Sequence, residues 1–234
     1  MTRRDQIAAG LAVVGARVER ACGRVGRDPA EITVVVVTKT FPAADVRLLA
    51  DLGVRDIGES RDQEAAPKAA ACADLGLTWH FVGQLQTNKA VSVARYADVV
   101  HSVDRIRLVE ALDQATRAAG RELRCLVQVA LADGPRDSAG RGGAASADVS
   151  VLADRIAAAR SLHLAGVMAV APLHGDPDDA FSRLARIAEA VQSRHSSATW
   201  VSAGMSDDLE AAVAHGATHL RVGTAILGAR PPAG

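Results

Sequence analysis

ITVVVVTKTFP, Ile32 to Pro42, decides how this chain is read. Its first half is a continuous apolar, β-branched run, the pattern of a strand buried on both faces as in a parallel sheet. Pro42 forbids further ladder pairing and holds the residue before it extended. Lys39 stands between strand and stop, at the carboxyl end where α/β folds place ligands. The chain has three lysines, Lys39, Lys68 and Lys89, against 24 arginines. An arginine keeps its proton near neutral pH. A desolvated lysine can lose it, and only the neutral amine attacks a carbonyl. Two readings of Lys39 stand at this point: a solvated strand cap, or a Schiff-base lysine.

Working outward, Ile7, Leu11, Val14, Val18, Ala21 and Val25 recur at helical spacing, and Gly26 with Asp28-Pro29 ends that helix. After the Lys39 strand, Asp45–Leu52 reads as a helix closed by Gly53. Val54–Ile57 is a short strand and Glu59–Ala73 an Ala-rich helix. Strand Thr78–Val82 precedes a helix from about Asn88 to Tyr96. Strand Ala97–His101 precedes helix Asp104–Ala119, with Asp104 as N-cap. Strand Leu123–Val129 is followed by the irregular Asp133–Ala147 and helix Asp148–Arg160. Strand Leu164–Val170 leads to helix Asp178–Arg194, and Thr199–Val201 to helix Ser206–Ala214 with Ser206 as N-cap. His219–Val222 is the last strand, and Gly223–Leu227 turns into a short helix. Eight βα units with one extra helix in front predict a (β/α)₈ barrel, a TIM barrel. With no linker-like break, residues 1–234 read as a single domain. A doubly wound open sheet is the alternative.

Composition excludes several classes. Lys+Arg and Asp+Glu balance at 27 each, so nothing draws the chain to nucleic acid or an anionic membrane. Aromatics are 3%, too few for base-stacking platforms. Cys22, Cys72 and Cys125 are isolated, without CxxC spacing, so neither a disulfide framework nor a metal site is expected. That usage fits a reducing cytoplasm. No apolar run is long enough to span a bilayer, and MTRRDQIAAGLAVVG reads as a helix rather than a signal peptide.

A barrel builds its site from the residues that follow each strand. Here these are Lys39, then Gly58-Glu59-Ser60, then Gly83 to Lys89, then Met168-Ala169-Val170. Ser202-Ala203-Gly204-Met205-Ser206 and Arg221-Val222-Gly223-Thr224 complete the set. Barrels commonly bind phosphate with the loops after strands seven and eight and a short helix N-terminus. Gly204 and Gly223 permit close backbone approach, and Ser202, Ser206 and Thr224 offer hydroxyls. Ordinary turn chemistry would explain either loop alone. A strand-end lysine beside a phosphate cradle suits a phosphorylated aldehyde or ketone held as an imine. Pyridoxal 5'-phosphate fits, and so does a sugar-phosphate aldolase intermediate. A cation at Arg221 beside a pyridine nitrogen would keep that nitrogen unprotonated and the cofactor a weak electron sink.

VVTKTFP, GESRDQE, WHFVGQLQTNK, SVDR, SAGMSDDLEAAV and RVGTAILGAR resemble the signature segments of the YggS/PROSC family. These are pyridoxal-phosphate homeostasis proteins of the type III pyridoxal-phosphate fold, related to the barrel domain of bacterial alanine racemase. The resemblance runs from the N-terminal helix to Arg230. It implies that Lys39 forms the Schiff base and that Ser202, Gly223 and Thr224 lie against the phosphate, with Ser206 nearby. It implies Arg221 on the ring-nitrogen side, Met168 beside the ring and Ser60 at the cofactor. Ser60 stands where the family usually has Asn, and Gln84 where it often has Pro. The loop Asp133–Gly143 is longer than usual, with Arg136 or Arg141 in place of a family lysine.

The expected function is therefore that of a cytoplasmic, monomeric carrier. It would hold pyridoxal phosphate reversibly and pass it to apo forms of pyridoxal-phosphate enzymes, without substantial catalysis. Three other readings stay open: an amino-acid racemase of low activity, a class I aldolase, and a scaffold that leaves Lys39 unmodified. A racemase needs acid/base groups on both faces of the imine. Lys39 serves one face; His80, His101 and His174 are the candidates for the other, and Tyr96 lies on a helix away from the mouth.

Overall fold

The structure, a computed structural model, describes residues 1–131, 142–173 and 175–229. It begins with helix α1 (Arg3–Val25), followed by strand β1 (Thr33–Val37), α2 (Ala43–Asp51), β2 (Asp56–Glu59), α3 (Asp62–Ala71) and β3 (Thr78–Phe81). Next come α4 (Ala90–Val93), β4 (Val99–Val103), α5 (Ile106–Ala118), β5 (Leu123–Gln128), α6 (Val149–Ala157) and β6 (Leu162–Met168). The last elements are α7 (Pro177–Arg194), β7 (Trp200–Ser202), α8 (Leu209–Ala214), β8 (His219–Val222) and α9 (Thr224–Leu227). The eight strands close into one parallel barrel in sequence order, with β1 returning to β8. The expected (β/α)₈ barrel with its extra N-terminal helix is what forms.

Local chemistry explains the elements. Thr2 and Asp5 make a reciprocal capping box at the start of α1, and Gly26, at φ +69°, ends the helix in a left-handed turn. Ile7, Val14, Val18 and Ala21 form its buried stripe. Val35, Val36 and Val37 are all buried, as a strand covered on both faces requires.

Several boundaries differ from the sequence reading. Glu59 ends β2 instead of opening a helix, because the strand runs two residues later than its apolar letters suggest. The span 88–96 becomes one 3₁₀ turn, Thr87–Lys89, and the short α4. Asp104 does not cap α5, whose cap position is Arg105; the Asp104 carboxylate instead accepts from the Arg105 guanidinium at 2.5 Å. Ser206 does not cap α8, which starts at Leu209, and its hydroxyl accepts from the Ala225 N–H at 3.3 Å. Arg136, Arg141 and His174 lie outside the described residues, as does most of the 133–143 loop.

The main core packs the helices on the outside of the barrel. A separate small cluster of Val99, Leu126, Ala165 and Met168, flanked by Val170 and Trp200, occupies part of the lumen. Among the described residues no helix is long and apolar enough to cross a membrane.

The first helix is seated on the last through a glycine. A Cβ at Gly10 would lie 2.4 Å from the Ile226 carbonyl oxygen of α9, whereas at Gly15, on the same helix, it would meet nothing within 4 Å. Gly10→Ala should therefore lower stability by roughly 1–3 kcal/mol through overpacking. Gly15→Ala should raise it by about 0.5–1 kcal/mol, the helix-propensity gain. Urea unfolding of the two variants checks the opposite signs; equal shifts would mean that α1 does not bear on α9.

Candidate functional site

Lys39 occupies a tight turn immediately after β1. The Phe41 N–H returns to the Thr38 carbonyl at 3.0 Å, and Thr40 sits at φ +70°. That is the i+2 position of a turn that favours glycine, here filled by a β-branched residue at a cost of about 1–3 kcal/mol. The surroundings hold it in place. The Thr40 N–H donates to Glu64 at 2.8 Å, and the Thr38 carbonyl also accepts from Lys68 Nζ at 2.8 Å. The Thr38 hydroxyl donates to Glu59 at 2.6 Å, and Lys68 pairs with the same carboxylate oxygen at 2.5 Å. Lys68 and Glu59 are buried together, so Glu59 and α3 clamp both peptides that flank Lys39. Burial pushes the Glu59 carboxyl up, and the Lys68 and Thr38 hydrogen bonds pull it back. Lys39 itself is half-buried.

Barrel closure brings the last strand beside this turn. Val35 pairs with Arg221 and Val36 with Val222. A Cβ on Gly223 would lie 3.0 Å from the Val37 carbonyl, so the end of β8 presses on the end of β1. Gly204, at φ +87°, is required for a different reason: a Cβ there would strike Ala212 at 2.6 Å and Leu220 at 2.9 Å. Its role is to seat α8. Ser206 is half-buried and Thr224 exposed, so their hydroxyls are at the rim. The loop after β7 is braced from α1. Arg17 donates to the Ser206 carbonyl at 2.7 Å and forks onto both oxygens of Glu210 at 2.7 Å.

The lumen below holds a row of polar side chains that the sequence reading did not connect. Arg221 donates to the Ser202 hydroxyl at 2.6 Å and to the Ala169 carbonyl at 2.8 Å. Ser202 also bonds His101 Nδ1 at 2.9 Å. His101 Nε2 bonds His80 Nδ1 at 2.9 Å, and His80 Nε2 bonds Asp56 at 3.0 Å. β4 and β7 are not neighbours in the barrel, so the His101–Ser202 bond crosses its interior. His80, His101, Ser202 and Arg221 are all buried. Desolvation lowers Arg221 to about 10. Burial, then His80, Arg221 and His219, push His101 well below the usual imidazole range. His219, stacked on Trp200 with ring centroids 4.0 Å apart, is lowered to about 4, chiefly by burial.

The structure places Lys39, Ser60, Gly204, Ser206, Gly223 and Thr224 just after β1, β2, β7 and β8, and Met168, Ser202 and Arg221 within the ends of β6, β7 and β8. Met168 is buried in the lumen beside Val99 and Leu126. Ser60 is half-buried, its backbone packed against Gly83, where a Cβ would meet the Ser60 carbonyl at 2.1 Å. Tyr96 is half-buried, and its phenol is pushed upward by burial. The three cysteines are free and buried, and no metal-ligating cluster occurs among the described residues.

The sequence matches the family described as alanine racemase, N-terminal domain, over residues 14–231. The pyridoxal phosphate homeostasis protein of Mycobacterium tuberculosis is 43% identical, the alignment covering 97% of this chain and 94% of that one. That of Pseudomonas aeruginosa is 39% identical, covering 96% of each. Among solved structures, PipY of Synechococcus elongatus with PLP bound superposes with a TM-score of 0.78 at 34% identity, covering 91% of this chain and 100% of that one.

The lowered histidines fix a pH dependence. A His whose folded pKa lies below its unfolded value takes up a proton on unfolding, so its burial costs stability as pH falls below about 6.5. For His219 that loss continues down to about pH 4, and for His101 further. Acidification from pH 6.5 to 5 should reduce the unfolding free energy by up to about 1.4 kcal/mol per pH unit for each of the two. Urea unfolding at pH 7, 6 and 5 checks this. Replacing His101 with Gln should flatten the slope by one proton, and an unchanged slope would show that His101 is not held neutral.

Proposed function

The chain belongs to the family of the alanine racemase N-terminal domain and, within it, to the pyridoxal phosphate homeostasis proteins, and we propose that it holds pyridoxal 5'-phosphate as a reversible Schiff base on Lys39. The observation that carries this reading is Arg221. Its guanidinium is buried with no carboxylate in salt-bridge range among the described residues, and it stands on the strand paired to the one that leads to Lys39. Such a cation calls for a neutral acceptor such as an unprotonated pyridine nitrogen. The residues present fit the cofactor. Lys39 supplies the amine. Gly223, Thr224 and Ser206 supply the phosphate side, with Gly204 holding the loop shape. Met168 and Ser60 would lie on the ring side, and the Ser202 hydroxyl, expected against the phosphate, is instead engaged by Arg221 and His101 in the lumen.

When bound, the cofactor contributes an aldehyde that condenses with an amine, releasing water, and is recovered by taking water up. The protein's share is to orient and retain. The strained Thr40 turn fixes the Lys39 backbone. Arg221 keeps the ring from becoming a strong electron sink, which favours holding over turnover. His80 and His101, candidates for a second base, each have both ring nitrogens in hydrogen bonds within the lumen. We therefore assign the chain to carriage in the cytoplasm, as a monomer that passes the cofactor to apo enzymes, in preference to racemisation.

Borohydride reduction after incubation with pyridoxal phosphate, followed by peptide mapping, tests the site. A phosphopyridoxyl group on the Lys39 peptide, absent in Lys39→Ala, is expected. Lys68 should stay unmodified because it is buried against Glu59. Adducts spread over Lys68, Lys89 and the N-terminus, or none, would sink the assignment. Loss of α-deuterium from amino acids above the Lys39→Ala background would favour the racemase.

A further inference from the structure

The polar row in the lumen has a direction, and its two ends impose it. A guanidinium only donates hydrogen bonds, and an ionised carboxylate only accepts them. Arg221 Nη1 donates to Ser202 Oγ at 2.6 Å. The remaining partner of that hydroxyl is His101 Nδ1 at 2.9 Å, so the Ser202 proton goes there. His101 must then carry its own proton on Nε2, which it gives to His80 Nδ1 at 2.9 Å. His80 in turn carries its proton on Nε2 and gives it to Asp56 at 3.0 Å. In this arrangement every proton points from Arg221 toward Asp56. Asp56, whose side chain is 30% exposed, is the one member that reaches solvent, at the opposite end of the barrel from Lys39.

We propose that His101, backed by His80 and Asp56, is a positioning residue for Arg221: by accepting the Ser202 proton it keeps a serine lone pair turned to the guanidinium and the serine proton turned away from the barrel mouth. The Ala169 carbonyl, 2.8 Å from Nη2, fixes the other arm of the fork. The row also compensates a buried charge. Arg221 has no carboxylate in salt-bridge range among the described residues, and a hydrogen-bonded chain that ends on a carboxylate is polarised toward that cation along its whole length. The groups facing His101 agree: His80 from β3, Ser202 from β7, and Arg221 and His219 from β8, none of them an anion that would favour a second proton on the ring. The consequence for the cofactor, a ring nitrogen met only by arginine N–H groups, rests on the function proposed above. The orientation of the row does not.

The experiment is nitrogen-15 NMR of the protein labelled on histidine and arginine, first without added cofactor. At pH 7.5 both His80 and His101 should show the Nε2–H tautomer. The Arg221 side chain should give separate, slowly exchanging Nη signals in the wild type. In His101→Phe these should merge; in His101→Gln, whose amide can both accept and donate, they should stay separate. A proton on His101 Nδ1, or resolved Arg221 signals persisting in His101→Phe, would overturn the proposal. With pyridoxal phosphate added, the pH midpoint of the visible band should move by about one unit or more in His101→Phe, while the Lys39 adduct still forms on borohydride treatment. An unmoved midpoint with the adduct in place would also overturn it. Absence of the adduct in the wild type would instead refute the proposed function and leave the NMR result to decide the row on its own.

Discussion

The pairing of β8 with β1 is the contact on which the site depends. It closes the barrel, and its register sets Arg221 beside Val35 and Val222 beside Val36. A strand has a side-chain period of two, so a slip of one residue would turn Arg221 from the lumen to the helix layer. The same register presses Gly223 against the Val37 carbonyl, next to the turn that carries Lys39. The N-terminal helix stabilises this closure from outside. Gly10 lets it sit on Ile226 of α9, and Arg17 ties down the Ser206 carbonyl. The helix added in front of the barrel thus touches both the loop after β7 and the helix after β8.

The second constraint is the arginine in the lumen. Barrel interiors are usually filled with branched apolar side chains in layers. Here part of the lumen is apolar, around Met168 and Leu126, and another part is given to Arg221, Ser202, His101 and His80. Burying one charge costs several kcal/mol unless its hydrogen bonds are met. The Ser202 hydroxyl and the Ala169 carbonyl meet that need, with His101 and His80 lined up behind the serine. Burial is the first cause of the lowering of both His101 and Arg221. The acid sensitivity of the fold and the orientation of the arginine therefore have one origin.

Much of the architecture could be read from the letters, because its signals are local. The valine run at Val34–Val37, the Asp28-Pro29 stop and the spacing of Ile7, Val14 and Val18 each announce their element. Boundaries failed where tertiary contacts replace local preference. Glu59 looks like a helix opener, yet it is a strand residue because Thr38 and Lys68 satisfy its carboxylate in the core. Ser206 looks like a cap, yet its hydroxyl serves the Ala225 N–H of another loop. The placement of Lys39, Gly204, Gly223 and Thr224 just past strand ends was legible because β1, β7 and β8 are marked by local sequence. The His80–His101–Ser202 line was not, since its members lie 21 and 101 residues apart and meet only when the barrel closes. The available hint was that His80 and His101 interrupt otherwise apolar strands, and a lone histidine in a strand does not reveal its partner.

That line bears on the choice between carrying a cofactor and turning it over. A catalyst that moves protons at a substrate carbon needs a base with a lone pair facing the mouth. The four ring nitrogens of His80 and His101 are taken up by Asp56, by each other and by Ser202, and His101 could accept a second proton only by breaking its bond to one of them. Its burial opposes that protonation further. In the proposed arrangement these histidines act through the arginine. An arginine oriented at a ring nitrogen lowers the electron demand of the ring, whereas a carboxylate there would raise it. The same lumen thus engages Arg221 through Ser202 and occupies both histidines in hydrogen bonds, the arrangement on which the proposal of retention over turnover rests.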